Sequence, residues 1–72
     1  MKNNFGQYLR KVREKRKFSL RDVAKQCNVD YGCLSRLERG KNKPSFVAAV
    51  QLSVVYKITL DEMAIELIKE LV

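Results

Sequence analysis

Between Ser19 and Gly40 the chain reads SLRDVAKQCNVDYGCLSRLERG, two short apolar patterns separated by one polar break at Asn28. Ser19 followed by Asp22 is close to a capping box, and it opens a helix over about 20–27 with Val23 and Ala24 inward and Leu20 and Cys27 beside them. Asn28 ends that helix, because asparagine tolerates the left-handed backbone of a tight exit better than other residues with side chains. Asp30 is a good N-cap for a helix over about 31–39, with Leu34 and Leu37 inward and Gly40 as its stop. Two helices joined by so short a turn, the second polar on its outside, predict a helix-turn-helix. Counted from Leu20, a small residue stands fifth (Ala24), a turn residue ninth (Asn28), and apolar residues tenth, fifteenth and eighteenth (Val29, Leu34, Leu37). Ala24 must be small because the next helix crosses close above it, and the apolar trio fixes the crossing.

The flanks are helical too. Phe5, Tyr8, Leu9 and Val12 form an i, i+3, i+4, i+7 stripe that runs out near Lys17, with Gln7, Arg10, Lys11 and Glu14 on the other side. KNKP at 41–44 is a basic loop, and Ser45 caps a helix over about 46–56. Thr59-x-x-Glu62 is a capping box for a fifth helix running nearly to Val72. No strand alternation, internal repeat or linker interrupts this order. The expected fold is all-α, one compact five-helix bundle over residues 1–72.

Charge is divided unevenly along the chain. Residues 1–43 hold thirteen Lys and Arg against four acids, residues 44–72 two against four, for a net of +7. A cationic half beside a mildly anionic one fits a polyanion met by one face; a generally solubilising basic surface is the plainer reading. With no histidine and only Cys27 and Cys33, a four-ligand zinc site is out of reach, and both cysteines read as small buried or half-buried hydrophobes. No phosphate loop or paired-acid motif is present, so an enzyme is not expected, nor a cofactor, a metal or a small-molecule ligand. No apolar run approaches the roughly 20 residues of a membrane span. The first residues carry no signal-peptide core, so a soluble cytoplasmic protein is expected.

On the blocks SLRDVA, CLSRLERGKNKPS and ITLDEM, in this order and spacing, the chain resembles the phage-repressor family of helix-turn-helix regulators, Cro-like or XRE-type, over nearly its whole length. The resemblance implies a lambda-repressor-like bundle whose third helix enters the major groove of double-stranded DNA. Its outward residues Tyr31, Gly32, Ser35 and Arg36 would then read bases. Arg36 is the strongest candidate, since a guanidinium bonds two acceptors of guanine. Ser19, Arg21, Arg39, Lys41, Asn42 and Lys43 would hold phosphates. Arg13 and Glu38 match positions of an internal ion pair between the first and third helices. Leu20 stands where many relatives carry Gln, which makes it a packing residue. Lys17, Asn28 and Lys57 stand where relatives often carry Gly, which should strain or reshape those turns.

The fourth helix is apolar nearly all round, and the fifth carries a stripe of Leu60, Ala64, Leu67 and Leu71 widened by Ile65, Ile68 and Val72. A body this small cannot hide all of it. The expectation is a homodimer through Val47, Val54, Ile65, Ile68 and Val72, binding an inverted-repeat operator as a transcriptional regulator; a broad monomer core is the alternative. A second functional reading keeps the fold but makes the chain a protein-interaction adaptor with only non-specific DNA binding.

Overall fold

Five helices follow one another in the computed structural model, which describes residues 5–71: α1 (Phe5–Lys15), α2 (Leu20–Cys27), α3 (Tyr31–Glu38), α4 (Phe46–Tyr56) and α5 (Leu60–Leu71). No strand occurs among the described residues. The start signals act as the residues dictate. The Ser19 hydroxyl accepts from Asp22 N at 3.0 Å while Ser19 N donates to Asp22 Oδ2 at 2.9 Å, a complete capping box. Thr59 and Glu62 repeat it, with Thr59 N donating to Glu62 Oε1 at 2.9 Å and Glu62 N to Thr59 Oγ1 at 3.0 Å. Asp30 caps α3 through Cys33 N at 3.2 Å, and Ser45 caps α4 through Ala48 N at 3.1 Å.

The exits of α1, α2, α3 and α4 use the left-handed backbone. Lys17 (φ 62°), Asn28 (φ 55°), Lys57 (φ 57°) and Gly40 (φ 77°) all have positive φ. After α1, α3 and α4 a backbone bond reaches five residues back: Phe18 N to the Arg13 carbonyl at 3.2 Å, Lys41 N to Arg36 at 2.9 Å, and Ile58 N to Ser53 at 3.0 Å. This closure satisfies carbonyls the helix leaves open, and it asks for φ > 0 one residue earlier. It also sharpens two expected boundaries. The first helix ends at Lys15, because residue 17 has already turned left-handed, and the third ends at Glu38, with Arg39 as its cap.

Phe5, Leu9, Val23, Cys27, Leu34, Leu37, Leu52, Tyr56 and Met63 form the core, drawn from all five helices. Ala24, Leu20 and Val29 pack against it half-buried, as the helix-turn-helix spacing and the packing assignment of Leu20 require. Cys27 is buried and Cys33 half-buried, both as free thiols. Burial pushes the Cys27 thiol up from its ordinary pKa.

The α1–α3 contact is closer than a side chain allows. Gly6 is buried, and a Cβ there would lie 2.5 Å from the Glu38 carbonyl oxygen and nearer still to that of Leu37. The bare backbone of α1 thus rests on the last carbonyls of α3, a role the sequence did not announce. Beside it, Arg13 and Glu38 form the expected ion pair between the same two helices.

The second half departs from its predicted stripe. Met63, outside that stripe, is the buried residue among those of α5 whose side chains are described, whereas Leu60, Ala64, Ile65 and Ile68 are exposed and Leu67 half-buried. In α4, Ala48, Leu52, Ser53 and Tyr56 turn inward. Phe46 (77% exposed), Val47 and Val54 turn outward. Val72 lies outside the described residues.

Candidate nucleic-acid interface

α3 has two unlike sides. Leu34 and Leu37 are anchored in the core at 2% and 1% exposure. On the outer side Tyr31 and Arg36 are exposed, with Gly32 and Ser35 half-exposed. Positions i, i+1, i+4 and i+5 share one helical face, so these four residues form a strip along the first turn and a half. The inner anchors fix its direction.

Neighbouring elements extend the strip at both ends. Arg21 of α2 lies over the Tyr31 ring, its guanidinium carbon 5.5 Å from the ring centre, in cation–π range. A shallow hollow lined by Arg21, Ala24, Lys25 and Tyr31 opens between α2 and α3 there. At the other end the loop after α3 folds back. With its amide oriented so that both neighbours are satisfied, Asn42 accepts from Arg36 Nε at 3.1 Å and donates to the Lys41 carbonyl at 2.8 Å. Arg39 Nε donates to the Ser35 carbonyl at 3.3 Å, which holds its side chain against the helix end. Arg21, Tyr31, Gly32, Ser35, Arg36, Arg39, Lys41 and Asn42 thus make one band across two helices and a loop.

Two of the expected phosphate ligands have other duties. The Ser19 hydroxyl oxygen caps α2, so it has only its proton to offer a phosphate. Lys43 is half-exposed, but its ammonium pairs with Glu70 of α5, a contact the sequence did not suggest. Glu70 Oε2 also accepts from Phe5 N at 3.1 Å, so one carboxylate secures the start of α1 and the end of the basic loop.

Behind the band the frame is ionic and partly buried. Arg13 Nε donates to Glu38 Oε2 at 2.6 Å and Nη2 to Oε1 at 3.0 Å, while Nη1 donates to the Phe18 carbonyl at 2.9 Å. The bond to Glu38 raises the Arg13 pKa further above its already high ordinary value. Burial, with Glu38 nearby, raises that of Tyr56. The Asp22 carboxyl is lowered from its ordinary pKa, chiefly because it accepts from the Ser19 backbone N–H.

No group of three or more potential metal ligands occurs among the described residues, and no helix among them is long and apolar enough to cross a membrane. Chemically the band offers fixed cations, an aromatic ring, hydroxyl and amide donors, and a helix end held forward. It suits contact with phosphates and base edges.

Comparison with known proteins agrees. The family model described as helix-turn-helix matches residues 9–63. The restriction-modification controller protein C.AhdI from Aeromonas hydrophila is 29% identical, with a TM-score of 0.77 over 82% of this chain and 89% of that one. The clp gene regulator ClgR from Corynebacterium glutamicum is 27% identical, with a TM-score of 0.80 over 92% of this chain and 70% of that one. No curated protein gives a significant sequence match. The chain belongs to the XRE-type helix-turn-helix family of DNA-binding transcription regulators.

Proposed function

We infer that the chain binds an inverted-repeat operator as a homodimer, one third helix per half-site. One observation carries the reading of bases: the outer strip of α3 is free while its inner side is locked into the core. Arg36 takes guanine through two bonds, and Tyr31 meets a thymine methyl or a phosphate. Gly32 lets the backbone approach the groove, and Ser35 donates or accepts. Arg21, Arg39 and Lys41 engage phosphates on either side, with Ser19 and Lys43 contributing through the capacity left by their internal bonds. As a regulator without a resident cofactor or ligand, the chain acts in the cytoplasm, on the nucleoid, by occupying its site.

Support for pairing comes from the apolar surface. Val47, Val54, Ile65 and Ile68 are 64%, 70%, 55% and 56% exposed, and Phe46 extends the same shoulder of α4. Covering large exposed aliphatics of this kind is what a partner surface does. A twofold pair also doubles the bases read, with half-sites about 34–36 Å apart or a multiple of that.

Selection of bound sequences from a random duplex pool tests the whole reading. A palindromic consensus is expected, and Arg36→Ala should relax one base per half-site. Lys41→Ala should weaken all sequences alike and lower the slope of log affinity against log salt by about 1. A flat profile would replace this reading with the adaptor. Sedimentation at micromolar concentration tests the pairing, which a strict monomer with and without DNA would exclude.

A further inference from the structure

Asn42 stands among the candidate phosphate ligands, yet the bonds of its amide point elsewhere. In the amide orientation that satisfies both neighbours, its oxygen accepts from Arg36 Nε at 3.1 Å and its nitrogen donates to the Lys41 carbonyl at 2.8 Å. The loop carrying it is itself fixed to α3, because Lys41 N donates to the Arg36 carbonyl at 2.9 Å. Backbone and side chain of residues 41–42 thus return to the same arginine.

Gly32 keeps this part of α3 low. A Cβ there would lie 2.9 Å from Asp30 Oδ2, the cap of Cys33 N, and 3.5 Å from Arg36 Nη1, an ordinary contact distance. Nη1 therefore lies over the first turn of α3.

The engaged Nε selects a geometry. An arginine can offer a base either its two terminal amino groups or Nε with one of them. With Nε engaged by Asn42, the terminal pair is left to point forward, spaced for the N7 and O6 acceptors of guanine. An otherwise mobile side chain is thereby ordered before DNA arrives.

We propose that Asn42 is a specificity-determining positioning residue: it acts through Arg36, setting which edge of the guanidinium meets the base, and is not primarily a phosphate ligand. This rests on Arg36 being the base reader, so the test carries both.

Sequence selection and salt titration are run on the full chain and on Arg36→Ala, Asn42→Ala, Asn42→Asp and the Arg36→Ala/Asn42→Ala double variant, each checked for helical content. Asn42→Ala should cut discrimination at the position relaxed by Arg36→Ala by about tenfold, within the range one two-bond contact supplies, and leave the salt slope unchanged. Asn42→Asp keeps the acceptor oxygen, so it should retain the base preference while weakening all sequences through its charge. In the Arg36→Ala background, Asn42→Ala should not alter the base profile further. If Arg36→Ala relaxes one position while Asn42→Ala weakens every sequence alike and leaves the preference at that position intact, Asn42 is a phosphate ligand and the proposal fails alone. If Arg36→Ala changes no base preference, the base-reading assignment fails and takes the proposal with it.

Discussion

Arg13 and Glu38 are joined by two parallel hydrogen bonds, at 2.6 and 3.0 Å, that tie the first helix to the last residue of the third. Their side chains are only 13% and 9% exposed. A fork so withdrawn from water is costly to halve, because the remaining charge keeps its desolvation and loses its partner. Arg13→Ala or Glu38→Ala should each lower unfolding free energy by about 3–5 kcal/mol. Replacing both by Met and Leu should recover most of that loss. Urea unfolding of the two single variants and the pair checks this, and additive losses would refute it.

Gly6→Ala should destabilise by about 1–3 kcal/mol, the usual range for overpacking, because the new methyl meets the carbonyl oxygens of Leu37 and Glu38. Alanine is the better helix former at an ordinary helical site, so the sign alone is diagnostic. A thermal melt that rises on this substitution would show that α1 does not rest on α3 this closely.

Lys17→Gly and Lys57→Gly should each stabilise by about 0.5–1 kcal/mol, since a left-handed backbone penalises a side chain by more than glycine loses in entropy. Asn28→Gly should be close to neutral, as asparagine already tolerates that conformation. All three positions have φ near 55–62°. Chemical denaturation compares the three variants directly.

Alkaline pH should unfold the chain earlier than its net charge suggests. Tyr56 is 1% exposed, and burial raises its pKa above the ordinary value of 10.0; Cys27, also buried, moves up from 9.0. A raised folded-state pKa means that the unfolded chain loses the proton first. The stabilisation is therefore whole below the unfolded values and declines as pH climbs through about 9–10, by up to about 1.4 kcal/mol per pH unit for each group. Stability measured from pH 8 to 11 should bend downward, and Tyr56→Phe should flatten the upper part of the bend.

Lys43→Ala should reduce the salt dependence of DNA binding less than Lys41→Ala does. The Lys43 ammonium already has Glu70 as its counterion, so fewer ions are released when it meets a phosphate. Equal slopes for the two variants would mean that the pair opens on DNA.

How far the fold was legible depended on whether its cause was local. Ser19, Asp30, Ser45 and Thr59 lie within three residues of what they cap, and α2 and α4 begin and end where the caps and stops put them. The band on α3 was visible because helical spacing separates Leu34 and Leu37 from Tyr31 and Arg36. The Arg13–Glu38 pair came from family resemblance, since nothing in the intervening residues states that they meet. Gly6 was missed because a glycine within a helix reads as a weak spot until the crossing helix is known. Phe46 and Met63 escaped for a related reason: a helix apolar nearly all round gives no direction, and only the packing of α4 and α5 chose which residues turned in. The Asn42 and Glu70 bonds join groups that no periodicity connects.

The clasp between Phe5 N and Glu70 Oε2, 3.1 Å across a separation of 65 positions, brings the two edges of the described chain side by side. The bond closes the bundle between its first and last described helices, so loosening the end of α5 should also free the start of α1.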